Sequence, residues 1–290
     1  MACVHYGLQQ TTKDSDWIIP ADDLGKLRDL FTRLAREEPL PWRISYRQIC
    51  GAPLEAEFMG HGWTSHLSIW DNPASMGHKV DIFSKPPRVR SDQIESDADG
   101  WATRHVVAQM KRTDREKDWP IVHGLGEQLW LRRQAEGLLH IADVDTLLSA
   151  WQGAAAEVRE RMALRRPLLK AMLVLPRLER LHFERLFLLE RLIWERVNKH
   201  RYSRYTVAWR RFFREWRKEA NWQWPTPEEF AEQHQQLSKA VRAYGLPTNP
   251  LAELPREVLI ETAVQEVCGI AAATRDEIAK VLPPTDELLP

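Results

Sequence analysis

The chain has little cysteine: Cys3, Cys50 and Cys268 are the only three in 290 residues. They are odd in number, far apart and outside any CxxC or Cys/His ligand spacing. That pattern argues against a disulfide scaffold and against structural zinc, and it suits a reducing cytoplasm. Net charge is missing as well, since 41 Lys/Arg balance 41 Asp/Glu, so the molecule as a whole advertises no polyanionic partner. Nor are there long apolar runs. No stretch approaches the roughly 20 apolar residues of a transmembrane helix, and the start carries no basic-then-apolar signal pattern. A cytoplasmic protein with no membrane partner is the expectation. The chain also lacks a G-x-S-x-G elbow, a P-loop and a G-x-G-x-x-G turn, which leaves hydrolase, Walker-type and dinucleotide chemistry without support.

What is present divides the chain by pattern. Residues 14–19, 42–49, 66–70 and 79–84 read as strands, the last two joined by the turn-like "DNPASMGH". Residues 21–38, 101–111 and 116–136 read as helices, the first with Asp22 and Asp23 in its opening turn and Pro39 and Pro41 after it. From about Asp145 onward nothing looks like a strand. "ERLHFERLFLLERLIWERV" carries a broad apolar face, and further helices are expected over 206–220, 227–244 and 256–269. The expected class is α+β: a small mixed β-sheet domain over 1–145, followed by an all-α domain over 146–290. The second is locally basic, with 18 Lys/Arg against 8 Asp/Glu between Trp151 and Ala220.

The segment "TTKDSDWIIP" (residues 11–20) sets two like charges one residue apart. On an extended chain i and i+2 share a face, so Asp14 and Asp16 project together while Trp17 and Ile19 pack behind. Asp81 adds a third acid, inside the apolar "HKVDIFS", where a charge is costly unless paired or metal-bound. A hairpin-like arrangement of neighbouring strands would bring it beside the first two. Three converging carboxylates suit a hard cation such as Mg²⁺, which takes one or two carboxylates and completes its shell with substrate phosphates. Two such ions about 4 Å apart activate an attacking hydroxyl and stabilise a leaving pyrophosphate.

On these residues the first half resembles the nucleotidyltransferase superfamily, in its minimal and AbiEii-like branch. Ala2, Gly7, Thr12, Asp14 and Asp16 fall at the offsets of the family's helix and T-x-D-x-D strand, and Asp81 matches its third carboxylate. "VVAQMKRTDREKDWP" is similar to the helical lysine motif and the R-x-K-D segment that follows it. The resemblance covers about residues 1–130. It implies metal binding by Asp14, Asp16 and Asp81, with Asp81 also helping to deprotonate the acceptor. It further implies nucleotide contacts from Thr12, Lys111, Arg115 and Asp118, with Lys117 nearby. The cofactors would be two Mg²⁺ ions with an NTP as co-substrate, and the acceptor an RNA or tRNA end, a protein hydroxyl or a small molecule. The family's Gly-Gly or Gly-Ser pair, whose backbone amides hold the nucleotide phosphates, would lie just before Met1. Either the recorded start is internal to a longer reading frame, leaving the domain N-terminally truncated, or the phosphate cradle is lost. The alternative is therefore a catalytically inactive binding or regulatory protein on this fold, for example in a toxin–antitoxin or phage-defence pair.

Other features have plainer readings. His61, His66 and His78 match no metal-ligand spacing and read as ordinary loop or strand histidines. Asp118, ahead of Trp119-Pro120, also fits a helix cap, and Lys111 fits a solvated helix face. The run from Arg201 to Trp216 interleaves arginines with Tyr202, Tyr205, Trp209, Phe212, Phe213 and Trp216. Cations beside aromatics suit RNA binding, yet Tyr205, Trp209, Phe212 and Trp216 recur at helical spacing and suit burial equally.

Overall fold

A computed structural model describes residues 1–12, 14–36, 42–70, 77–174, 180–218, 224 and 229–290, with 173 and 174 as backbone only. Four strands form one mixed sheet: β1 (Asp14–Ile18), β2 (Arg43–Tyr46), β3 (Thr64–Trp70) and β4 (His78–Phe83), in the order β1-β4-β3-β2. Apart from an isolated bridge between Ser96 and Ala102, the rest of the regular structure among the described residues is helical, so the class is α+β, with the sheet in the N-terminal part and a mostly helical C-terminal region. The expected helix over 206–220 is not separate. It continues the preceding helix, and one helix runs Arg180–Trp216. The expected helix ends at 37–38, 219–220 and 227–228, Pro39 and Pro41, and most of the turn at 71–76 lie outside the described residues.

The chain forms two compact units that interleave in sequence. The first comprises Met1, 11–86 and 202–253; the second comprises 2–10, 87–201 and 254–290. This is a different division from a boundary at 145/146. Around that point Asp143 caps the helix Val144–Gly153 by accepting from the Thr146 N–H at 2.8 Å, which marks a helix start inside the second unit.

In the first unit the sheet is two-faced because its residues alternate. Along β3 every second side chain is buried, and Ile44, Leu67, Ile69, Val80 and Ile82 line the inner face at 0–5% exposure. That face packs on Phe31 of the helix Leu24–Leu34, on Phe58 and Trp63, and on Tyr205, Phe212, Trp216, Phe230, Leu237 and Val241 from the later segment. Fully burying each such side chain stabilises by about 1.5–3 kcal/mol. The edge of β2 is covered rather than left open: Gln233, on the helix Phe230–Ala243, donates to Ile44 O (3.1 Å) and accepts from Tyr46 N (3.2 Å), and the Trp224 indole donates to Tyr46 O (2.9 Å). These side chains do for the edge what a fifth strand would, and so block edge-to-edge association.

In the second unit Cys3 and Tyr6 pack with Val107, Ala108, Ile121 and Leu125, which ties residues 2–10 to the helices Arg104–Lys111 and Trp119–Leu131. Two glycines allow a close backbone crossing between Trp119–Leu131 and the short helix Gly137–His140. A Cβ on Gly126 would lie 2.5 Å from Ile141 N, and one on Gly137 2.7 Å from Gly126 O. Gly126→Ala is therefore expected to destabilise by about 1–3 kcal/mol through overpacking against backbone. Gly269→Ala, in the helix Arg256–Ala271 with nothing within 4 Å, should stabilise by about 0.4–1 kcal/mol. Urea denaturation of the two variants, read against the parent chain, checks that the signs are opposite.

Candidate functional site

The outer face of the sheet carries the acids. β1 and β4 run parallel, with Asp16 paired to Asp81 and Asp14 to Lys79. β4 and β3 run antiparallel, with His66 opposite Asp81, and Arg47 N donates to His66 O at 2.8 Å beyond the end of β2. One row across the sheet therefore reads Asp16, Asp81, His66, Arg47. Asp14, Asp16 and Asp81 share one face of the sheet, with Asp16 and Asp81 one strand spacing apart, about 4.8 Å between strands, but among the described residues they do not form the expected three-acid metal cluster. The expected hairpin between their strands is not observed, because β1 and β4 are parallel neighbours. The Val80 and Ile82 side chains that made Asp81 look embedded point to the opposite face and are buried there.

Asp14 and Asp16 are exposed. Thr12 secures the entry to β1, its hydroxyl donating to Asp14 O (2.9 Å) and accepting from Asp14 N (3.3 Å). The Trp17 ring centroid lies 6.5 Å from that of Phe31 while Trp17 stays 38% exposed, and Ile19 packs on the core. Asp81 is held from two sides: its Oδ1 lies 2.6 Å from His66 Nδ1 and accepts from Arg47 Nη1 at 3.1 Å, with the Asp81 side chain 21% exposed. The cation that offsets like-charge repulsion at Asp81 is thus supplied, at least in part, by the protein.

Arg47 and His66 are the functional-face residues that motif reading passed over. Parity does place them: Arg47 and His66 alternate with the buried Tyr46 and Leu67, so both belong outside. Their contact with Asp81 depends on how the strands register, which parity does not contain.

The remaining candidates lie in the second unit. Lys111 ends the helix Arg104–Lys111 and is partly exposed. Asp118 is 2% exposed and precedes the helix Trp119–Leu131, but its side chain makes no capping bond. Instead it accepts from Thr113 Oγ1 (2.6 Å) and Arg115 Nε (2.9 Å), with Arg115 Nη2 at 2.7 Å. Arg115 and Asp118 are therefore brought together as an ion pair, and a buried carboxylate with three donors is adequately satisfied without a ligand.

No family model matches this chain, and no curated protein or solved structure matches it.

Among the described residues no group of three or more His, Cys, Asp or Glu side chains is set to hold a metal ion. The residues nonetheless fit one Mg²⁺ delivered with a nucleotide, since that ion uses one or two carboxylates and takes the rest of its shell from phosphates and water. Asp14 and Asp16 are two adjacent, exposed, same-face carboxylates of that kind. Asp81 fits a second ion less well, because one of its oxygens already serves Arg47 and His66.

Proposed function

We propose that the outer sheet face binds a nucleoside triphosphate with Mg²⁺ and transfers its nucleotidyl group to an acceptor hydroxyl. The observation that supports this reading is the register of Asp16 beside Asp81, with Asp14 on the same face. Asp14 and Asp16 would hold the ion, which supplies charge neutralisation for the phosphates. Asp81, oriented by His66 and Arg47, would accept the proton of the incoming hydroxyl. In the transfer the hydroxyl oxygen forms a bond to the α-phosphorus, and the bond from that phosphorus to the bridging oxygen breaks. Pyrophosphate leaves with the electron pair. Positioning and fixed charge would carry most of the rate gain. The acceptor would be an RNA or tRNA end, a protein hydroxyl or a small molecule.

Isothermal titration with ATP, GTP, CTP and UTP in Mg²⁺ tests the reading. One nucleotide should give a saturable heat that disappears in Asp14→Ala/Asp16→Ala. Equal heats from parent and variant would remove the site.

A second reading is favoured by the Arg47 and His66 contacts: a face of this fold that binds a partner without catalysis, its third acid used for structure. It expects nucleotide or partner binding with no label transferred from α-³²P-NTP to RNA or protein, and an Asp81→Asn variant that loses stability while its binding is unchanged.

A further inference from the structure

We propose that the outward face of the helix from Arg204 to Arg214 is a docking surface for double-stranded DNA, gripping phosphates on both flanks of the major groove. The inference does not rest on the transfer chemistry.

Three observations carry it. The first is charge. Residues 201–218 hold seven Lys/Arg and a single acid, Glu215, in a chain whose net charge is zero. The second is the state of those charges. Earlier in the same helix, arginines are neutralised: Arg180 with Glu184 (2.8 Å), Arg185 with Glu277 (2.7 Å), Arg191 with Glu195 (2.8 Å) and Arg196 with Glu266 (3.0 Å). From Arg204 onward the pattern stops. Arg204, Arg210, Arg211 and Arg214 are exposed, and among the described residues no carboxylate lies within 4 Å of any of them. Glu215 is engaged by Lys218 at 2.7 Å. Unneutralised arginines held on a rigid element focus field and suit bidentate phosphate contacts.

The third is geometry. At about 100° per residue, Arg204 and Arg211 fall on one flank of the exposed arc and Arg210 on the other. Arg214 and the 48%-exposed Val207 lie between them. The opposite side of the helix, Tyr205, Phe212 and Trp216, is 4–5% exposed and belongs to the core. This decides between partners. Single-stranded RNA or DNA needs aromatic platforms for its bases, and these aromatics are mostly used in packing. A helix of about 10–12 Å outer diameter matches the roughly 12 Å major groove of B-DNA. The major groove of A-form RNA is deep and narrow. Arg204 to Arg214 spans about 15 Å at 1.5 Å per residue, a length over which duplex DNA presents about nine charges.

Fluorescence anisotropy on a labelled duplex of about 20 base pairs, titrated with the full chain from about 50 to 200 mM salt, tests the surface. Four arginine–phosphate contacts should give a log–log salt slope of about −3.5. Arg210→Gln/Arg211→Gln/Arg214→Gln should make the slope shallower by roughly two to three and weaken binding at least about 10-fold at the low-salt end. Its thermal midpoint should be unchanged, as all three positions are exposed. An unchanged slope and affinity in the triple variant, absence of binding by the parent, or tighter binding of the corresponding single strand or duplex RNA would each overturn the proposal.

Discussion

Glu190→Ala should lower the stability of the second unit by about 3–5 kcal/mol, the usual cost of leaving one member of a buried ion pair alone. Arg166 and Glu190 are 8% and 6% exposed at their side chains. The guanidinium meets the carboxylate in a two-pronged contact, Nε at 2.9 Å and Nη2 at 2.7 Å. Its Nη1 donates to the carbonyls of Leu138 (2.8 Å) and Ile141 (3.0 Å). Truncating Glu190 strands a cation whose other contacts are neutral. The Arg166→Met/Glu190→Leu double variant should recover most of the loss, since two well-packed apolar side chains replace a costly desolvated pair. Urea denaturation followed by far-UV circular dichroism measures both. A single-variant loss below about 1 kcal/mol would show the pair to be solvated in practice.

Acidification should destabilise the chain between pH 6.5 and 5, above the range where carboxylates titrate. Burial, then the positive Arg165 and Arg112, hold the His105 imidazole down at about 3. Burial, then Arg28 and Arg242, hold His234 at about 4. His140, 2% exposed, lies well below the ordinary value for the same reason, with Arg112 the nearest charge contribution. The hydrogen bonds agree. Arg112 can only donate, so His140 Nδ1 accepts from it at 3.0 Å, its Nε2 carries the proton, and His105 Nδ1 accepts that at 2.7 Å. Protonating either ring would break this chain. The unfolded imidazoles take up protons near pH 6.5 and the folded ones refuse them, so stability present above pH 6.5 is lost as pH falls. At about 1.36 kcal/mol per pH unit, His105 accounts for about 2 kcal/mol by pH 5, and His234, whose Nε2 lies 3.7 Å from the Glu55 carboxylate, for less. Urea midpoints at pH 7.5 and 5 read the loss directly, and the ring protons of His105, His140 and His234 should fail to titrate by NMR above pH 5. Stability flat or rising over that interval would contradict the burial of these rings.

Much of this architecture was legible in the chain itself. Period-2 alternation in "HLSIW" and "KVDIFS" located β3 and β4, and the single-residue spacing of Asp14 and Asp16 put both on one face. The 3.6-residue recurrence of Tyr205, Trp209, Phe212 and Trp216 was compatible with core or with RNA. Tertiary packing decided for core, because the inner face of the sheet needed a cover and residues 202–253 return to supply it. Boundaries in sequence were a poor guide to the units, since a segment joins whichever apolar surface it buries, near or far along the chain.

Local pattern determined which face each acid occupies, because side-chain direction follows from backbone geometry alone. It could not determine neighbours. That Asp16 stands beside Asp81, and that His66 and Arg47 hold the latter, follows from strand order and register. These are set by contacts tens of residues apart, whose energies no local window contains. The acids were a property of the sequence; their company was a property of the fold.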